Sequence, residues 1–479
     1  MPSFLELQEK YANELAKLID TLSKDTIEDR KTLEYIEEYD GERLRRSKSV
    51  GKRENKTVDT YTENTDTGEV VKSGSKTVIV SKLSLPFPRK IVRTRNHFLF
   101  GGKMTVSGPE GTDALSEFKR IWIRELKMQN VLKSLARTCM VETKAAVVFY
   151  PQKTRVDNKE VLKLRSTLLN KSKGEFFPHF DDYGDMDAFI YRYVNEIDGK
   201  KVENAKIYTA ETIYTYSKAG GAWSPAEFEP SVKNEFGKIP VVYVEQDEPE
   251  WECVTSMIDN FEMRISRLAD TNDYFAEPLL KLFGSVKRAP GKDEVGKMLE
   301  FAMTEGPDGK PSHGDAEYAT WDHTPESIKL DLETSWGSIF SMTSTPDLSF
   351  NNIKGIGNVS GVAMELMFMD AFIAKEEAME IFDPALKRCV SIVVAGMENY
   401  TKIKFSGDIS LDDIEVSFTA TLPQDIKNLI ETIFTATGGK PILSQETASA
   451  ISPLTLNVEE EFARIKAESE TVINEPFNM

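Results

Sequence analysis

The residues best suited to chemistry by type and spacing are Gly355-Ile-Gly357-Asn-Val-Ser360-Gly361. Closely spaced glycines that open a helix can turn backbone amides toward a phosphate. A dinucleotide fingerprint, however, needs G-x-G-x-x-G after an apolar strand, with an acid about 20 residues further on. Here the third glycine comes one place late, and the preceding residues are Asn351-Asn352-Ile-Lys354. A Walker loop needs G-x-x-x-x-G-K-[ST], and Gly438-Gly-Lys-Pro441 puts proline where the hydroxyl belongs. The stretch therefore reads as a glycine loop between two helices. A nucleotide-dependent enzyme using residues 355–361 remains the alternative, to be decided by ATP or dinucleotide binding.

Other chemistries find less support. Cys139, Cys253 and Cys389 are far apart and form no C-x-x-C, which excludes a thiolate zinc site and suits a reducing compartment. His97, His179, His313 and His323 are scattered, with no H-E-x-x-H. Asp181-Asp182 and Asp412-Asp413 sit in turn-like contexts as solvated carboxylates. Ser360 lacks the G-x-S-x-G elbow. No catalytic residue, metal or cofactor is expected.

The elements that must position the glycine loop come from periodicity. Residues 1–40 read as helix, and 43–56 carry Arg43, Arg45, Arg46, Lys48, Lys52, Arg53 and Lys56. That cluster suits a solvated loop, or a contact with nucleic acid or an acidic neighbour. Residues 57–80 predict a hairpin around Asp66-Thr67-Gly68, and Asp113–Met140 a single helix. Strands are expected at 145–150, 189–194, 206–216 and 240–244, within an α+β unit covering about 85–250. Helix returns at 254–283, with a break or new turn at Pro278. A strand-and-loop insertion at 285–324 leads to a helix from Pro325 to about Thr345.

After the loop 347–360, Ser360 can cap a long helix from Gly361. It carries two apolar stripes, Val362, Leu366, Met369, Ile373 and Met364, Phe368, Phe372, Met379, Phe382, so it needs cover on more than one side. Asp383-Pro384 marks a kink or a new start. Ile414–Thr421 alternates as a strand, and the last 55 or so residues read as short helices starting near Leu422, Ser444, Ser452 and Asn457.

Composition sets the outer limits. A chain of 479 residues, 40% apolar and 29% charged, suggests about three structural units with substantial cores. No apolar run is long enough for a membrane helix, and Met1–Lys10 is too polar for a signal peptide. Sixty Lys and Arg against 78 Asp and Glu give −18. Such a surface repels phosphates, which opposes a tight DNA clamp and is compatible with DNA sliding past.

Four motifs then occur in one order. Phe236-Gly-Lys-Ile-Pro240-Val-Val-Tyr-Val resembles the "G-x-[IV]-P-V-[IV]" strand of tailed-phage portal proteins. Asp259–Asn272, with Ser266 and the later Gly284, resembles their first stem helix. Ser344-Thr-Pro346 through Gly357-Asn358-Val-Ser360-Gly361-Val-Ala363 resembles their "P…G-N-x-S-G-x-A" junction. Leu422-Pro423-Gln-Asp425 with Leu443-Ser444-Gln-Glu446-Thr447 resembles their "P-x-D … [IL]-S-x-E-T" helices. The resemblance spans about 85–470; residues 1–84 do not align.

The resemblance to the siphophage-type head-to-tail connector family implies an α+β portal fold. Its parts would be a wing (1–254), stem helix 1 (255–284), clip (285–324), stem helix 2 (325–346), tunnel loop (347–360), long kinked wing helix and returning strand (361–422) and helical crown (423–479). It implies a dodecameric ring at one capsid vertex that conducts double-stranded DNA without sequence specificity during packaging and ejection. The ring would nucleate head assembly with the major capsid and scaffolding proteins. It would dock the large terminase, then head-completion adaptor and tail proteins. The protein would be assembled in the host cytoplasm and reside in the virion, with no membrane and no enzymatic activity. Asn351, Asn352, Lys354 and Asn358 would face DNA. Val362, Leu366, Phe368, Met369, Phe372 and Ile373 would line the ring interface. Another capsid or head-completion protein is the structural alternative.

Overall fold

The computed structural model describes residues 3–10, 15–22, 27–42, 50–63, 70–108, 113–156, 159–197, 200–219, 221–275, 279–283, 286–288, 300–301, 304–305, 311–312, 315–319, 325–347, 366–401, 414–418, 426–437, 443–452, 455 and 461–467. The N-terminal segment forms three helices, α1 (Phe4–Lys10), α2 (Leu15–Leu22) and α3 (Ile27–Asp40). Phe4, Leu7, Leu18 and Ile19 are buried against a β-sheet, so α1 and α2 cover one of its faces. Helix α3 brings Tyr35 and Tyr39 to Trp251, with ring centroids 6.5 and 6.4 Å away, and Glu38 accepts a hydrogen bond from the Trp251 indole.

The expected hairpin is present as β1 (Lys56–Glu63) and β2 (Val70–Val78), with a bulge after Thr60. Helix α4 (Phe87–Phe100) follows, with proline at its start, where a missing N–H costs nothing. Strand β3 (Met104–Ser107) is next. The single helix expected over 113–140 is interrupted. Helix α5 (Asp113–Lys119) passes into a π-turn at Arg120–Glu125, and Lys127 adopts a left-handed conformation (φ 52°) before α6 (Met128–Glu142). Ile121 and Trp122 are both buried in the core, with Trp122 stacked on Phe118 at 5.3 Å.

Two antiparallel sheets follow. Strands β4 (Lys144–Val156) and β5 (Lys159–Leu169) pair along their whole lengths. Then come β6 (Glu175–Phe180), β7 (Met186–Ile197), β8 (Lys200–Tyr208), β9 (Thr212–Ala219), β10 (Ala222–Pro225) and β11 (Ser231–Lys233), in the order β10-β9-β8-β7-β6 with β11 also on β9. Strand β12 (Val241–Glu245) returns to β4. The sheets meet through Ala146, Val148, Phe176, Phe189 and Val241, and the larger sheet's other face receives α1 and α2.

Helix α7 (Thr255–Phe275) ends ahead of Pro278. The rest of the expected helix is a strand, β13 (Leu279–Phe283), consistent with proline's bias against helix at the residue before it. Strands β14 (Val286–Arg288), β15 (Glu300–Phe301), β16 (Thr304–Glu305), β17 (Pro311–Ser312) and β18 (Asp315–Ala319) pair as β14-β15, β16-β17 and β13-β18, the small insertion expected here. Helix α8 (Pro325–Met342) then runs back beside α7.

Helix α9 (Met369–Gly396) continues through Pro384, which lies on its exposed side, where water can satisfy the carbonyl left without a donor. Strand β19 (Glu415–Phe418) pairs with β3. Helices α10 (Ile426–Thr437) and α11 (Gln445–Ile451) follow, the second capped by Ser444, whose hydroxyl accepts from the Thr447 amide. The main core gathers α4, α6, α7, α8, α9 and the inner face of β4 and β12.

Candidate functional site: the flanks of segment 348–365

Asn351, Asn352, Lys354, Asn358 and Val362 lie outside the described residues, as does the glycine motif. The described residues on either side of segment 348–365 are held by α4. On the incoming side, α8 ends at a left-handed Ser344 (φ 48°), with the Thr345 amide bonded back to the Phe340 carbonyl. The Thr343 hydroxyl donates to the Ile339 carbonyl and lies 3.0 Å from the Thr345 hydroxyl. The chain then reaches Asp347. Its carboxylate accepts from Lys90 Nζ of α4 at 3.0 Å and from the Trp336 indole of α8 at 3.1 Å.

These partners are themselves fixed. Lys90 Nζ lies 4.1 Å from the ring centre of Phe340 and 5.4 Å from that of Trp336, within cation–π range. Phe87, Phe261, Trp336 and Phe340 form one aromatic cluster, with centroid distances of 5.0 to 6.0 Å. Arg95, one further turn along α4, joins the two flanks. Its guanidinium donates to the Thr343 carbonyl at the end of α8 and to the Ala374 carbonyl in the first turns of α9. It also pairs with Glu250 at 3.4 Å. Burial pushes the Glu250 carboxyl up from its ordinary range, and Arg95 opposes that shift.

On the outgoing side the expected interface residues separate by face. Phe368 and Phe372 pack on Phe98 of α4, at 6.0 and 5.7 Å between centroids, and Ala371 and Ala374 are buried beside them. Leu366, Met369 and Ile373 point away and are 61%, 49% and 54% exposed. One stripe thus fastens α9 to α4, and the other is left bare next to segment 348–365.

A second polar assembly ties the segment before α4 to α7. The amides of Ser81, Leu83 and Leu85 donate to Asp270, Ser266 and Glu262, at 2.6, 2.9 and 2.8 Å. Four helical residues advance about 6 Å and two extended residues about 6.7 Å, so the two periods match over three contacts. Arg53 closes the assembly by donating to Asp270 and to the Ser81 carbonyl. One member of the basic cluster therefore has its acidic partner within the chain. Burial opposes ionisation of Asp270, but the Ser81 amide and the Arg53 guanidinium prevail and hold its carboxyl below the ordinary value. Arg95 and the ladder as a whole were not singled out from sequence; Asp347 entered only as the one acid between Pro346 and Gly361, and Ser266 only through the stem-helix resemblance. The ladder's only signal is polar residues four apart, at 262, 266 and 270.

Among the described residues no group of His, Cys, Asp and Glu could hold a metal, and no helix is long and apolar enough to cross a membrane. The family model described as "Phage portal protein, SPP1 Gp6-like" matches residues 23–475. This chain belongs to the phage portal protein family. The match takes in most of the segment that the sequence motifs left unaligned, including the β1–β2 hairpin. Portal proteins are structural components of phage particles rather than enzymes.

Solved structures similar to this portal-family chain include "Neck of empty GTA particle computed with C6 symmetry" (10% identity, 78% of this chain and 90% of that one, TM-score 0.38). Another is "Virion of native gene transfer agent (GTA) particle" (10%, 78% and 91%, TM-score 0.37). A third is "Neck of native GTA particle computed with C12 symmetry" (10%, 77% and 90%, TM-score 0.38). No curated protein sequence matches the chain.

Proposed function

We propose that this chain is the protomer of a dodecameric channel through which double-stranded DNA enters and leaves the phage head. The observation that carries the reading is the bare stripe Leu366, Met369 and Ile373 beside a loop whose two roots are clamped by Arg95. An apolar stripe of this kind needs cover, and cyclic closure supplies the same cover to every copy. The clamp would hold the loop at one height in each subunit. In that arrangement Lys354 forms a ring of positive charge in an otherwise acidic tunnel. With Asn351, Asn352 and Asn358 it gives DNA salt-dependent, sequence-blind contacts.

The remaining roles follow the proposed division of the chain. The insertion at 285–324 is the clip that docks the large terminase and later head-completion adaptor and tail proteins. Residues 423–479 form the crown inside the head, where the ring nucleates assembly of major capsid and scaffolding proteins made in the host cytoplasm.

The test uses two variants. Leu366→Asp leaves soluble monomers in size-exclusion chromatography with light scattering, because a carboxylate buried without a partner costs several kcal/mol, about 3 or more. Lys354→Glu leaves rings intact but reduces the DNA length retained per head on pulsed-field gels. Intact Leu366→Asp rings would refute the interface, and wild-type DNA content in Lys354→Glu heads would refute the collar.

A further inference from the structure

The β1–β2 hairpin has no packing of its own. Every described side chain from 56 to 62 and from 71 to 79 is exposed. A lone two-stranded hairpin is marginal in water, and this one carries a valine-rich face. Its register puts Lys56, Val58 and Thr60 opposite Val78, Lys76 and Gly74. Past the bulge, Thr62 lies opposite Val71, and alternation returns that pair to the same face. The other face holds Asp59 and Lys72, ion-paired at 2.7 Å. The first face therefore combines exposed Val58, Val71 and Val78 with Lys56 and Lys76, which face no carboxylate among the described residues of the hairpin.

The hairpin's root is fixed. Arg53 and Ser81, on either side of it, are both bound to Asp270 of α7. The ladder residues 262, 266 and 270 lie on one side of α7. Arg264, which pairs with Asp331 of α8, lies about 160° round the helix from the middle of that row. The hairpin root and α8 thus flank α7 on opposite sides. The side of α8 away from Asp331 and buried Ile339 carries exposed Glu326, Leu330 and Glu333, the last ion-paired with Lys329 at 3.7 Å.

We infer that the hairpin is an intersubunit arm whose Val58, Val71, Val78 and Lys76 face docks on the Glu326, Leu330 and Glu333 face of α8 in the next copy. The occupant is a second copy of this chain for two reasons. The valine-lysine face complements the leucine-glutamate face in both polarity and charge. The two surfaces also lie on opposite flanks of the same helix pair, the arrangement that a head-to-tail contact requires to propagate round a ring. The inference rests on the ring reading above.

The test is a cysteine pair, Val58→Cys with Leu330→Cys, in a background where exposed Cys253 is replaced by serine. Under mild oxidation, rings bearing both cysteines should give a ladder of disulfide-linked oligomers on non-reducing gels, and either cysteine alone should give none. Lys76→Glu should weaken subunit association about fivefold, the upper end for an exposed ion pair, and Glu333→Lys in the same chain should restore it. Wild-type rings with no ladder from the double-cysteine chain would overturn the arm and leave the ring reading standing. An intramolecular disulfide, seen as a shifted monomer, would overturn it equally. Absence of rings from wild-type protein would instead count against the ring reading.

Discussion

Asp270 is the residue on which the strap before α4 turns. It accepts from the Ser81 amide and from Arg53, and these hold its carboxyl below the ordinary value despite partial burial. A depressed folded-state value means the ionised form favours the native state. Its contribution is fully present above the unfolded value near 4 and is lost as pH falls through the lower folded value. Asp270→Asn should therefore lower stability by about 2 kcal/mol at pH 7, the scale of hydrogen bonds to a charged group. The gap between wild type and variant should close as the solution is acidified below pH 4. Urea midpoints across pH 3 to 7 check this, and a gap that stays constant would show that the carboxylate's charge is not the cause. The sequence does not announce Asp270, because its partners, the Ser81 amide and the Arg53 guanidinium, lie 189 and 217 residues away and only the fold brings them near.

Among the elements, long periodic or strongly punctuated segments were legible. The β7–β8 hairpin, α8 after Thr324-Pro325, the Ser444-capped α11 and the small-strand insertion all follow local rules. Two elements depart from expectation. The helix expected over 113–140 is interrupted by the π-turn at Arg120–Glu125 and by left-handed Lys127, which the apolar spacing of Phe118, Ile121 and Trp122, already on one face of a regular helix, does not announce. The helix expected to 283 stops at Phe275 because Leu279–Phe283 finds a strand partner in Asp315–Ala319, some 36 residues away in sequence. Of the candidate site, the bare stripe on α9 was visible as periodicity. The clamp was not, since Lys90 and Arg95 look like ordinary surface cations until α4 is placed against α8 and α9. One turn tests the larger sheet directly. Gly174, before β6, has φ 153°, and a Cβ there would strike the Arg192 carbonyl of β7. Gly174→Ala should cost about 2 kcal/mol or more in thermal or urea unfolding, as a strained backbone substitution does. A shift within error would mean the β6 end is free to move aside.

At the scale of the whole molecule, helix α4 is the common support. It packs on α6 and α9, takes Asp347 through Lys90 and binds the Thr343 and Ala374 carbonyls on either side of segment 348–365 through Arg95. Among the described residues, the stripe at Leu366, Met369 and Ile373 and the β1–β2 hairpin are apolar surfaces left exposed, and the proposed ring would cover both. The most direct measurement of that claim is electron microscopy of the purified wild-type protein, with mass photometry on the same sample. The account predicts rings with a central channel and a mass about twelve times the 54.0 kDa chain. Particles that stay monomeric at every concentration and salt tested, or assemblies without a central hole, would contradict it.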